Sequence, residues 1–357
     1  SRSLMIYVNG RFLTQKLTGV QRFAYEMSLR LSKLRHDVVV LVPDMSAIDK
    51  SYNISSFSIK EIKGGRGHFW EQFTLPLFLK KQKDCVLVNL CNSGPLFFKR
   101  QIVTQHDITY IRYPESFSFG FRLLYSLFTP VLLKNSKLIV TVSDFSKSEL
   151  LNYYNCDASK IHIIPNAVSN VFFKPDDSMV RVNEICEGDY FLTVSSVNHH
   201  KNIHGLIETL LSADLNINLK IIGDRNTVFN CVNIKTDDPR IDFLGRVPDE
   251  ELIALYRGAK AFIFPSYYEG FGIPPLEAQS CSCPVISSNR ASLKETLGDS
   301  VLYFDPDSKY ELIKAIIKLN NNADERNLLI DKGKSNVERY SWERSAEKLN
   351  ILIAKIY

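Results

Sequence analysis

Short β-branched runs recur along the whole chain, each followed by enough residues for a helix. In the first half they read MIYVN (5–9), DVVVLV (37–42), CVLVNL (85–90), QIVTQ (101–105) and KLIVTV (137–142). In the second they read YFLTVS (190–195), LKIIG (219–223), IDFL (241–244), AFIF (261–264), PVIS (284–287) and VLYF (301–304). Strands apolar at nearly every position are buried on both faces, as in parallel sheets, and parallel neighbours need a crossover that is usually a helix. The pattern restarts after NAVSNVFFKPDDS (166–178), a stretch rich in turn residues. A chain of 357 residues also exceeds one ordinary core. The expectation is an α/β protein of two doubly wound, Rossmann-like domains facing each other across a cleft, residues 1–170 and 171–340. A last amphipathic helix, 341–357, is capped by Ser341 and packs back on the first domain.

Charge narrows the partners. Residues 1–170 carry 22 basic against 12 acidic side chains, and the remainder 22 against 27. A basic half joined to an acidic half faces something anionic: a phosphorylated substrate, an anionic lipid or nucleic acid. No recognisable nucleic-acid module accompanies the charge, so nucleic acid is not expected. The seven cysteines are odd in number and scattered, which suits reduced thiols in a cytosolic protein. Cys281-Ser282-Cys283 has no second pair to complete a metal site. No signal peptide is visible, and Ser1-Arg2-Ser3-Leu4 reads as a foreign leader ahead of Met5. The longest apolar run, 117–133, is interrupted by Arg122 and Pro130 and falls short of a membrane span.

The stretch EGFGIPPLE (269–277) combines the features of a ligand site. It follows the strand AFIF, and in such sheets ligands bind beyond the carboxyl ends of strands. Gly270 and Gly272 let the backbone approach a ligand, and Pro274 or Pro275 opens a helix. The helix start offers unpaired N–H groups to a phosphate. Glu269 at the strand end and Glu277 near the first turn place a carboxylate on either side. A diphosphate with hydroxyl-bearing groups at both ends, such as a nucleotide sugar, matches that spacing.

EGFGIPPLEA resembles the E-x7-E motif of the family 4 retaining glycosyltransferases, which have the GT-B fold. The resemblance extends over nearly the whole chain through LTGVQRFAYE (17–26), TQHDITY (104–110), VSDFSKSEL (142–150), IIPNAV (163–168), VNHHKNIHGLIE (197–208), KIIGD (220–224) and FLGRVPDEELIALYRGA (243–259). It implies an acceptor-side first domain and a second domain that binds the nucleotide sugar. Carried over, Glu269 hydrogen-bonds the donor sugar, while the backbone of Gly270, Phe271 and Gly272 lines that sugar and its phosphate. Glu277, with Leu276 beside it, takes the ribose, and Val247 lies against the base. Lys201 neutralises the departing diphosphate, and His106 contacts the donor sugar near the reacting carbon. Gly19 approaches the phosphates or the acceptor, and Arg11 and Lys16 meet an anionic acceptor. Many members carry an arginine where this chain has Ser196 on the donor side; His200 and Arg225 stand as candidates to replace it.

Other motifs carry less. Asp305-Pro306-Asp307 has D-x-D spacing but reads as a proline turn with an N-cap, so no metal is expected and no cofactor beyond the donor substrate. GGRG (64–67) is not framed by a strand and a helix, which argues against a dinucleotide fingerprint. GKS (333–335) sits in a helical pattern. The stretches 69–83 and 117–137 mix aromatics and leucines with lysines, and an anionic membrane surface is the partner expected of them. The resulting expectation is a metal-independent, retaining glycosyltransferase, cytoplasmic and peripheral at the inner face of the cell membrane. It moves a hexose, with GDP-mannose the preferred donor, to a lipid-linked oligosaccharide in surface-polysaccharide (O-antigen or capsule-type) synthesis. The alternatives are a nucleotide-sugar epimerase of the same fold and a non-catalytic nucleotide-sugar-binding scaffold.

Overall fold

The computed structural model describes residues 4–173, 184–196, 198–223 and 237–356. Arg225, Val197, the end of the 166–178 boundary stretch and residues 1–3 of the leader lie outside that set. The chain divides into two compact units. The first comprises Ser1–Ile108, Phe119–Asn166 and Ser341–Tyr357; the second comprises Thr109–Ser118 and Ala167–Tyr340.

The first unit holds a parallel sheet of strands β1 (Met5–Asn9), β2 (Val38–Val42), β3 (Ile59–Glu61), β4 (Cys85–Val88), β5 (Gln101–Thr104), β6 (Leu138–Thr141) and β7 (Ile161–Ile163). Their order is β3-β2-β1-β4-β5-β6-β7. The second unit holds β8 (Phe191–Val194), β9 (Leu219–Ile222), β10 (Ile241–Gly245), β11 (Ala261–Phe264), β12 (Val285–Ser288) and β13 (Leu302–Phe304), ordered β10-β9-β8-β11-β12-β13. The direction of strand addition reverses between β1 and β4 in one sheet and between β8 and β11 in the other. Such switch points open a crevice at the carboxyl edge.

Central strands are buried at nearly every position, as their composition demands: β4, β5, β9, β11 and β12 have no exposed residue. The edge strands β3 and β7 were absent from the sequence reading. Each is three residues long and carries a polar residue, Lys60 or His162, which breaks the apolar run. Finding β3 also corrects the reading of GGRG. That segment does lie between a strand and the helical stretch 67–80, with φ of 148°, 88° and 56° at Gly64, Gly65 and Gly67. It sits beside an edge strand, away from the switch point, and lacks the G-x-G-x-x-G spacing.

The helix Trp342–Ala354 begins under Ser341, whose side chain accepts from the Arg344 N–H. It packs on helix Gly19–Leu34 within the first unit. Trp342 is buried edge-on to Phe23, and Glu343 pairs with Arg30 at 3.0 Å. Phe23, Met27, Leu31, Ala346, Leu349 and Ile353, four or fewer residues apart along each helix, are all fully buried.

Candidate active site

The loop after β11 runs from Pro265 to Gly272 and enters helix Ile273–Ser280, one residue earlier than the prolines suggest. Gly272 is the N-cap, at φ 100°, and a Cβ there would lie 2.7 Å from Leu293 Cδ2. Only glycine meets both conditions without strain. No side chain caps this helix and no acidic residue occupies its first turn. Pro274 and Pro275 carry no N–H, so what the helix start offers an anion is the Ile273 N–H and the positive end of the dipole.

Glu269 is 12% exposed at its side chain and is held from three directions. Its Oε1 accepts from Ser266 Oγ at 2.9 Å and from Lys201 Nζ at 2.5 Å. Its backbone carbonyl accepts from Ser292 Oγ at 2.7 Å. Lys201 ends a short turn, His199–Lys201, beyond β8. Asn202, left-handed at φ 59°, donates from Nδ2 to the Pro265 carbonyl, and Tyr267 N–H donates to the His200 carbonyl. These bonds tie the loop after β8 to the loop after β11 at the switch point. The tie brings together Lys201 and Glu269, two of the sequence-derived catalytic candidates.

The other donor-side candidates lie at the same edge of the second sheet. Ser196 Oγ accepts from the Asn198 N–H at 3.2 Å and shapes the turn ahead of Lys201. Gly223 follows β9 at φ 125°, where a Cβ would fall 2.0 Å from Ser195 Oγ. Val247, half-buried, follows β10. Glu277, half-buried, is the fifth residue of its helix. Phe271 turns its ring onto Tyr340, at 5.1 Å between centroids, so the backbone of 270–272 is what the loop presents. Leu276 is fully buried and its side chain packs in the core. His200 is buried with Nδ1 against Ser116 Oγ at 3.0 Å. Arg225 lies outside the described residues.

The remaining candidates belong to the first unit. His106, beyond β5, is buried; its Nε2 meets the Leu90 carbonyl at 2.9 Å and its ring stands edge-on to Phe23 at 4.9 Å. Burial pushes its pKa down, so the imidazole is neutral. Gly19, φ 35°, begins its helix facing open space, and Thr18 provides no side-chain cap. Lys16 is exposed in the loop before it. Arg11 is already engaged by the buried carboxylate of Glu71, 3.6 Å away. Ser266, Ser292 and Glu71 were not foreseen, since isolated serines and one glutamate in an apolar stretch have no spacing signature.

Among the described residues, no group of three or more histidines, cysteines, aspartates or glutamates is arranged to hold a metal. Asp305 and Asp307 both bind the Arg290 guanidinium at 2.8 Å, and the following helix is capped by Ser308.

Two units, each built on a doubly wound parallel sheet, are the architecture of a GT-B glycosyltransferase. Residues 17–170 match the model described as Glycosyltransferase Family 4, and residues 177–336 that of Glycosyl transferases group 1. The chain is 31% identical over 267 residues to the O-antigen chain mannosyltransferase B of Escherichia coli, covering 70% of each chain. It is also 31% identical to the O-antigen chain mannosyltransferase RfbU of Salmonella typhimurium, covering 72% of this chain and 70% of that one. Among solved structures, WaaG, a glycosyltransferase involved in lipopolysaccharide biosynthesis, superposes with TM-score 0.72 at 15% identity over 98% of this chain and 99% of its own. HepE of Anabaena, solved with UDP-glucose, gives 0.72 at 14% identity over 98% and 99%. The chain belongs to the family 4 glycosyltransferases.

Proposed function

We propose that the protein is a retaining, metal-independent glycosyltransferase that moves mannose from GDP-mannose to a lipid-linked oligosaccharide in O-antigen-type polysaccharide synthesis. The observation that carries the reading is the Lys201–Glu269 pair beside the uncapped start of helix Ile273–Ser280. The Ile273 N–H, the positive end of the helix dipole and Lys201 would receive the diphosphate, stabilising the charge that grows as it leaves. Glu269, released from Lys201, would accept from a hydroxyl of the donor sugar, and Glu277 from the ribose. The acceptor hydroxyl would attack from the face the phosphate leaves, so no protein nucleophile is required. The relatives named as mannosyltransferases of O-antigen chains support the sugar and the pathway.

The same reading places the protein at the inner face of the cell membrane. No described helix is long and apolar enough to cross a membrane. Helix Phe119–Asn135 is apolar nearly all round yet buries only Thr129, Leu132 and Leu133. It exposes Phe119, Leu123 and Leu127, while the stretch 67–80 exposes Phe69, Phe73 and Leu77 at four-residue spacing. Lys80, Lys81, Arg122 and Lys134, all exposed, accompany them. Exposed apolar stripes flanked by cations suit an anionic bilayer surface.

Melting the protein with GDP, UDP, ADP and CMP in turn, each with and without EDTA, tests the donor. A ligand at 100 times its dissociation constant stabilises by about 2.7 kcal/mol. A shift from GDP alone, indifferent to EDTA, is expected. No shift from any nucleotide would overturn the reading.

A further inference from the structure

We propose that a recess at the switch point of the first sheet, between β1 and β4, binds a hydroxyl group of a neutral sugar through Glu71. On the reading above, that sugar belongs to the glycan acceptor. Asn9 is the last residue of β1 and Asn89 the first beyond β4. Asn9 Nδ2 donates to Asn89 Oδ1 and to Glu71 Oε2, each at 2.9 Å. Ser93 Oγ donates to the same Glu71 oxygen at 3.0 Å. Glu71 is 1% exposed, yet its other oxygen, Oε1, has no hydrogen-bond partner. Arg11, at 3.6 Å from Oε1, is beyond hydrogen-bond range and is also shared with Ser93 Oγ and His68 Nδ1. A buried carboxylate oxygen without a donor is costly, so such a group calls for an explanation.

Three further observations point to a ligand. Glu71 lies in a π-helical turn, Trp70–Thr74, set between Gly67–Phe69 and Leu75–Lys80. Such turns are rare and frequent at functional sites. Glu71, His68, Ser93, Tyr125 and Thr129 line a recess of about 260 Å³ including its open mouth. Its interior admits only about one water-sized group, the size of a hydroxyl.

The chemistry selects a neutral donor group. Arg11 and Glu71 cancel one another, so the recess has no net charge with which to draw an anion. Burial pushes the His68 pKa down and the Tyr125 pKa up, so neither ring carries charge. The two rings meet edge-on at 6.1 Å and form an aromatic wall. A carboxylate oxygen lacking a donor, beside aromatic rings and without net charge, suits a sugar hydroxyl with its ring at the mouth. The helical stretch 67–80 and helix Phe119–Asn135, which carry the exposed apolar residues, also supply this lining. A sugar attached to a lipid would meet both features of the same pair of helices.

The test uses methyl α-mannoside, methyl N-acetylglucosaminide and methyl galactoside as probes with the full-length protein. Saturation-transfer NMR measures their affinity for wild type and Glu71→Gln. Amide hydrogen exchange on wild type, with and without the probe, locates the contact. The proposal expects one glycoside to bind, Glu71→Gln to weaken it about tenfold or more, and exchange to slow at residues 67–74 and 91–94. It is overturned if no glycoside binds up to its solubility, if Glu71→Gln binds as well as wild type, or if protection falls only elsewhere. Should the variant not fold, the wild-type exchange map decides alone. GDP melting on the same wild-type samples separates the readings, because glycoside binding without a GDP shift would sink the proposed donor and leave this site standing.

Discussion

Lys201 Nζ lies 2.5 Å from Glu269 Oε1, although 68 positions separate the two residues in the chain. The Glu269 side chain is 12% exposed and that of Lys201 26%, so each neutralises the other in a partly screened setting. On the proposed function, a donor diphosphate would compete with Glu269 for the lysine, and its sugar with Lys201 for the carboxylate. Lys201 and Glu269 thus satisfy one another, and on that proposal donor binding would exchange one set of charge-assisted bonds for another.

Removing either partner is therefore expected to harm transfer beyond the loss of binding. Lys201→Ala should lower kcat by about 10²- to 10³-fold, the scale for losing one electrostatic stabiliser of a transition state. Glu269→Gln should fall comparably while keeping its melting temperature within a few degrees. Steady-state kinetics with GDP-mannose, alongside thermal melts, checks both. Full activity in either variant would remove that residue from the site.

Gly272→Ala is expected to destabilise the second unit. The φ of 100° disfavours any Cβ, and the new methyl would meet Leu293 at 2.7 Å. Strain and overpacking of this kind cost about 1–3 kcal/mol each. Chemical denaturation should show the loss, and GDP affinity should drop with it, since the loop backbone is what the site presents.

His106 makes stability depend on pH. Its folded pKa is depressed by burial below the ordinary imidazole value of 6.5. The unfolded chain therefore binds more protons than the folded one below that value. The contribution is whole above pH 6.5 and is lost progressively as pH falls from there toward the folded pKa. The melting temperature should decline over this window, and His106→Gln should flatten the decline. An unchanged slope in the variant would assign the effect to other groups, of which His68, His162 and His204 are also depressed chiefly by burial.

Replacing Phe69, Phe73 and Leu127 together with serine is expected to abolish flotation with vesicles rich in anionic lipid. These residues are 59%, 58% and 61% exposed, so the fold should tolerate the change. Wild-type binding should weaken with salt, because the flanking cations are screened. Absence of wild-type binding at any salt would end the membrane reading.

The positions of the central strands, the helix opening near Pro274 and the glycine loop were legible from local pattern. β-branched runs, proline at a helix start and glycine at a turn act through the backbone of their own segment. Glu269 was legible from its place at a strand end and Lys201 only as a member of a resembling motif; their mutual contact was not. That contact depends on Asn202 bonding Pro265 and on two strands meeting at the switch point. Edge strands β3 and β7 escaped notice because three-residue strands broken by Lys60 and His162 carry too little apolar periodicity.

Glu71 marks the limit most clearly. In the sequence it is one acidic residue between Trp70 and Gln72, indistinguishable from a solvated charge. In the fold it is buried at the ends of β1 and β4, paired with Arg11 across 60 positions. Composition and periodicity therefore determined the two parallel sheets, because burial of a strand or helix face is set by its own residues. Tertiary structure alone decided which polar groups converge and which are left without a partner. Those properties depend on distances between segments remote in the chain, which no local pattern encodes.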